Sequence, residues 1–160
     1  MTDIAEHDTN SGLVGHWVLD VYEGDIVRDA DGNILNEQVD RLEGHNLITT
    51  VGKQMIMDRL FGLSGVGAMS RCGVGTSATA AAVGNTTLTS GAFKVFDSTP
   101  TRSSLTVTAV TTFGTGDANI NWQELGLDNG TTLLNRIAPI GPFNKTSAVS
   151  IIVTVTVTQS

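Results

Sequence analysis

"SAVSIIVTVTVTQS", residues 147–160, decides the fold. Val149, Ile151, Val153, Val155 and Val157 share one parity, and Ile152, Thr154, Thr156 and Thr158 share the other. Successive side chains of an extended chain point to opposite faces, so this parity gives one apolar face and one threonine-rich face. Every residue from Ile151 to Thr158 is β-branched, and such stiff side chains pack well on a pleated surface. The stretch predicts a long strand with one face on a core.

The rest of the chain is organised in the same way. Alternating runs occur at Leu88 to Phe96, Leu105 to Phe113, Ile120 to Leu127 and Leu133 to Ile140, separated by clusters of Ser, Thr, Gly and Asn. Arg71 to Val74 reads as a further short strand. Near the front, "GLVGHWVLDVYEGDIV" (12–27) alternates, and Asp31-Gly32 reads as a hairpin turn leading into a second run, Ile34 to Leu42. The pattern changes from Thr50. Val51, Met55, Ile56, Leu60 and Leu63 recur at three and four residues, Thr49 or Thr50 is placed to cap the start, and Gly62 and Gly65 mark the stop. This spacing predicts one helix at about residues 51–63, with Met55, Ile56 and Leu60 on its core face and Lys53, Gln54, Asp58 and Arg59 on its polar face. Six to eight strands with one helix predict a mostly β fold, a β-sandwich or a Greek-key/jelly-roll-like barrel, spanning residues 13–160. Residues 1–12 are polar and turn-forming and read as an extended N-terminal arm that orders on a partner.

Composition narrows the function. Of 160 residues, 40% are hydrophobic and 16% charged, with no apolar run long enough to span a bilayer and no signal-peptide pattern in residues 1–12. A soluble, unexported chain without a membrane partner is expected. Nine basic residues against sixteen acidic give a net charge of −7, which repels phosphate backbones and argues against nucleic acid as a partner. The single Cys72 forms no intrachain disulfide and builds no structural zinc site, and it reads as a small buried hydrophobe. Asp29, Asp31 and Asn33 lie two apart around Gly32, but an EF-hand register would put Val27 at a ligand position, so the stretch reads as a solvated turn. In "RCGVGTSATAAAVGNTTLTS" (71–90) no lysine follows the glycines as in a P-loop, and Ala78 stands where a dinucleotide fingerprint needs its third glycine. No cofactor is expected.

Three stretches carry a resemblance: "GHNLITTVGKQMIMDRLFG" (44–62), "CGVGTSATAAAVGNTTL" (72–88) and "INWQELGLDN" (120–129). Their order, an Asn-Leu-Ile-Thr strand leading into a Gly-containing helix, a Val-Gly-Thr loop ending in Thr-Thr-Leu, and a Glu-Leu-Gly-Leu strand, resembles a class of tailed-bacteriophage virion proteins over about half the chain. That class includes head cement or decoration proteins and tail, baseplate or fibre parts. The resemblance implies a non-enzymatic structural role in the virion, with no catalytic residues to transfer and with the major capsid protein or another virion protein as partner.

The residues themselves support no complete catalytic set. His7, His16 and His45 are scattered, and no Gly-x-Ser-x-Gly elbow accompanies them. Glu124, among Trp122, Leu125 and Leu127, reads as a half-buried acid at a sheet edge or interface. Low charge density, many threonines and several sheet edges suit a homo-oligomer whose surfaces are covered by neighbours. Trp17, Tyr22, Trp122 and Glu124 are the candidate interface residues. A carbohydrate-binding β-sandwich is the cellular alternative, with Trp17, Tyr22 and Trp122 as stacking faces.

Overall fold

The structure, a computed structural model, describes residues 12–63 and 65–159. The arm expected over residues 1–12 therefore lies, apart from Gly12, outside the described residues. The elements are β1 (Leu13–Glu23), β2 (Gln38–Ile48), α1 (Thr50–Phe61), β3 (Arg71–Gly75), β4 (Ala92–Val95), β5 (Thr101–Ser103), β6 (Thr106–Phe113), β7 (Asn121–Trp122), β8 (Glu124–Asp128), β9 (Leu133–Ile137), β10 (Phe143–Asn144) and β11 (Val149–Gln159). Nine strands form one antiparallel sheet in the order β4-β3-β8-β9-β2-β1-β11-β6-β5, and β7 pairs with β10. The fold is mostly β with one helix, and the long sheet curls over on itself in the manner of a sandwich or barrel.

The C-terminal strand is the spine of one half. β11 pairs along its whole length with β1, from Leu13↔Gln159 to Glu23↔Val149, and on its other side with β6. This register lines up Trp17, Leu19 and Val21 with Val155, Val153 and Ile151, and beyond them Ala109, Thr111 and Phe113. All nine are buried. Threonines and valines of the opposite parity take the outer face, and Thr106 and Thr158 join their hydroxyls there at 2.8 Å. The other half supplies Ile48, Cys72, Val74, Leu125, Leu127 and Ile137 to the same core. A fully buried aliphatic side chain contributes roughly 1.5–3 kcal/mol, so this double layer is the main source of stability.

β2 joins the halves. Residues through Asn46 pair with β1, whereas Leu47 and Ile48 pair with β9, so one strand turns the corner between the two layers. The far edges meet through Asp97, between β4 and β5. Its N–H donates to the Val110 carbonyl at 2.9 Å, and its carboxylate accepts from the Thr112 N–H and hydroxyl at 2.9 and 2.6 Å. A side chain thus continues the ladder where strand pairing stops.

Several boundaries differ from the sequence reading. The second strand begins at Gln38 rather than Ile34, because the segment before it is occupied by side-chain bonds: Asn36 accepts from the Val27 N–H and donates to the Glu23 and Asp25 carbonyls. The Asp31-Gly32 turn exists, but as the tip of a small outlying hairpin bridged at Arg28↔Ile34. The run from Leu88 is a strand only over Ala92–Val95, and that from Leu133 ends at Ile137.

The helix is capped as expected, with the Thr49 hydroxyl accepting from the Gly52 N–H at 3.0 Å and Gly62 in the left-handed region. Its facing is corrected. Met55 is buried and Ile56 half-buried, but Leu60 is 73% exposed. Gly52 rests on the Leu134 backbone so closely that a Cβ would not fit. That contact fixes the first half of α1 against β9 and leaves its last turn without sheet beneath it.

Candidate functional site

The glycines of "RCGVG" are packing devices. Gly73 and Gly75 lie within β3, where a Cβ would meet the Phe93 ring or the Glu124 carboxylate respectively. Glu124, on β8, is fully buried. Its Oε2 accepts from Arg136 Nε at 2.6 Å, and its Oε1 accepts from the N–H groups of Thr89 at 2.6 Å and Ser77 at 3.3 Å. Arg136, on the neighbouring strand β9, spends its remaining donors on the carbonyls of Thr79 and Ala80 and on Asn85 Oδ1, at 2.9, 3.2 and 3.0 Å. One buried ion pair therefore ties both arms of the 76–91 loop to the sheet. A carboxylate with both oxygens committed is a structural clasp, not an acid or base waiting for a substrate.

The other expected interface residues are also distributed by the fold. Trp17 is fully buried in the layer between the sheets. Trp122 is fully buried too, edge-on to Phe113 at 5.0 Å between ring centroids and donating from Nε1 to the Ala118 carbonyl at 2.8 Å. Only Tyr22 reaches the surface, half-buried on the outer face of β1. Trp17, Trp122 and Glu124 thus offer no surface to a partner, because each is already enclosed by its own domain. The two tryptophans likewise offer no stacking face to a sugar.

The candidates for chemistry do not converge. Cys72 is buried, and burial pushes its thiol far above the usual range, which disfavours the thiolate a nucleophile needs. His16 and His45 stand on the outer face of the β1–β2 pair, away from Glu124, and His7 lies outside the described residues. Asp29 turns its carboxylate onto the Asp31 and Asn33 N–H groups and the Asn33 amide, at 2.8–2.9 Å. Its pKa is lowered first by the Asn33 side chain and next by the Asn33 backbone. The stretch is a self-satisfied turn. Lys145, which the sequence reading passed over, is buried and donates to the Gly114 carbonyl and Asn119 Oδ1 at 2.8 and 2.9 Å, clamping the turn before β7.

What the fold leaves uncovered lies elsewhere. Met57, Leu60, Phe61 and Leu63 are 51–74% exposed and fall together at the end of α1. Met57, Leu60 and Phe61 are spaced as i, i+3 and i+4, so they share one side of the helix end, and Leu63 follows the left-handed Gly62 cap just beyond it. Two short edges, β4 and the fully exposed β5, flank the place where the sheet closes. The sequence carries a signal for this surface, since 57–63 holds Met57, Leu60, Phe61 and Leu63, but the helical spacing alone puts Leu60 on the core face. Comparison with protein-family models, with curated proteins and with solved structures found no match to this chain.

Proposed function

We propose that this chain is a non-enzymatic structural protein of a tailed-phage virion, a capsid cement or decoration protein that binds the assembled head and stabilises it. The observation that carries the reading is the apolar end of α1. Met57, Leu60 and Phe61 on one side of the helix end, with Leu63 just past its cap, are exposed apolar surface that the domain leaves uncovered and that a neighbouring subunit can cover. The three stretches that resemble virion proteins support it further: 44–62, 72–88 and 120–129 fold into one connected region, made of the β2 corner, α1, β3 with its loop, and β8. The Glu124–Arg136 clasp holds that region together. The net charge of −7 suits docking on basic patches of the major capsid protein, and the short edge strands β4 and β5 suit pairing between copies in a homo-oligomer on the shell.

A protein that bridges shell subunits binds the assembled state and not the separated one, so mass action stabilises the shell as free protein rises above its dissociation constant. The test strips the protein from particles and adds it back at graded concentrations, recording the temperature at which the heads release DNA. A rise that saturates at a copy number commensurate with the lattice is expected, and a Leu60→Asp/Phe61→Asp variant that folds normally is expected not to rebind. Unchanged heads, with the protein recovered on tails in small fixed number, would favour a tail, baseplate or fibre component instead.

A further inference from the structure

His16 on β1 and His45 on β2 face each other directly across the ladder, on the outer side of the sheet. Their ring centroids are 5.2 Å apart and the rings are tilted by 52°. Two imidazoles bound to one tetrahedral divalent ion, each with a metal–nitrogen bond of about 2.0–2.1 Å, have centroids about 5 Å apart, since each centroid lies about 3 Å from the metal. The strands fix where the two side chains start, because the Cα register is set on both sides: His16 is also paired with Thr156 of β11. Glu43, two residues before His45 on the same face, brings Oε2 to 3.8 Å from His16 Nε2. Among the described residues no three such side chains already converge as a ready-made centre. The pair would therefore supply two ligands, with Glu43, already near His16, as a candidate weaker third and water filling the rest.

We propose that His16 and His45 form a surface site for an imidazole-preferring divalent transition ion of the zinc or nickel class. Oxygen-preferring magnesium and calcium fit poorly, as two of the ligands are neutral nitrogens. The β-ladder favours chelation by such a pair, because the backbone that carries both ligands is already fixed before binding. The ion joins β1 to β2 at the end of the pairing nearest the sheet corner, so loading it staples the strand that connects the two layers.

The experiment titrates zinc and, separately, nickel into the full chain at pH 7.5 by calorimetry, and follows the imidazole nitrogens by NMR. One equivalent is expected to bind and to move the His16 and His45 signals together. His16→Asn or His45→Asn should each weaken binding at least tenfold, and Glu43→Gln should weaken it less. His7→Asn, a control for the third histidine, should leave binding unchanged. Both variants sit on the outer face, and an unchanged urea midpoint without metal shows that each is folded. No binding by the wild-type chain, binding that survives the double His16→Asn/His45→Asn variant, or binding lost in His7→Asn alone would overturn the proposal.

Discussion

Removing the Glu124 carboxylate is the sharpest perturbation of the clasp that ties the 76–91 loop to the sheet. In Glu124→Ala the Arg136 guanidinium, 3% exposed as a side chain, loses the Glu124 carboxylate and keeps three neutral acceptors. Breaking a buried pair from one side costs about 3–5 kcal/mol, because the remaining charge is left uncompensated. The N–H groups of Thr89 and Ser77 also lose their acceptor. Thr89 is exposed and Ser77 half-exposed, so both rehydrate and add little. The expected loss is therefore about 3–5 kcal/mol at pH 7, read from urea unfolding with the m-value unchanged. Replacing both partners by apolar residues, Glu124→Leu with Arg136→Met, should recover most of it and leave the domain within about 1–2 kcal/mol of wild type, since no buried charge then remains. Because the pair anchors both arms of the 76–91 loop, limited proteolysis of Glu124→Ala should cut within that loop first. A loss below about 1 kcal/mol, or a double variant that costs the sum of the two singles, would refute the clasp reasoning.

Three further outcomes follow from the same structure. Met55→Ala should cost about 2–5 kcal/mol, whereas Leu60→Ala should cost under about 0.5 kcal/mol, and equal losses in thermal or urea unfolding would show that α1 faces the other way. The Asp117 carboxyl is held below its ordinary value of 3.8, first by the hydrogen bond from Lys94 and further by the Gly114 N–H. A depressed folded pKa stabilises the protein above the unfolded value and loses that contribution as pH falls through the folded one, so Asp117→Asn should flatten the loss of stability below about pH 3.8. An acid limb as steep in the variant as in wild type would place that dependence on other carboxylates. Raised salt should slow binding to heads before it loosens bound protein, because charge complementarity acts mainly on the approach, as stopped-flow mixing would record.

How legible the fold was depended on which information each element needed. β11 was readable because its parity and β-branched content agree, although its first half, with Ser150 and Ile152 buried, is covered on both faces and only the half after Val153 on one, and the helix ends were readable because Thr49 and Gly62 cap through local bonds. Leu60 was misread for a physical reason: apolar spacing defines a stripe on the helix, but the length of sheet beneath that stripe is a tertiary quantity, set here by Gly52 against Leu134. Glu124 was misread because β8 and β9 are buried on both faces, covered outside by α1 and the 76–91 loop, so alternation carries no inside-outside signal there. Its partner Arg136 is set by the β8–β9 register, which places Gly126 against Arg136 and Leu125 against Ile137. The run Ile120 to Leu127 also hid a break at Gln123, where the chain leaves the small β7–β10 pair for the main sheet. The His16–His45 pairing was equally invisible, since it depends on which residues of β1 and β2 stand opposite each other.

The central claim, that this chain is a shell-binding virion protein, is tested most directly by counting it in purified particles. Quantitative mass spectrometry of intact virions against the major capsid protein, with separated heads and tails measured in parallel, gives the number and the location at once. The account predicts the chain on heads, at a fixed ratio to the major capsid protein that matches the lattice, and lost from heads when Leu60 and Phe61 are both changed to Asp. Absence from washed particles, or a small fixed copy number confined to tails, would contradict it.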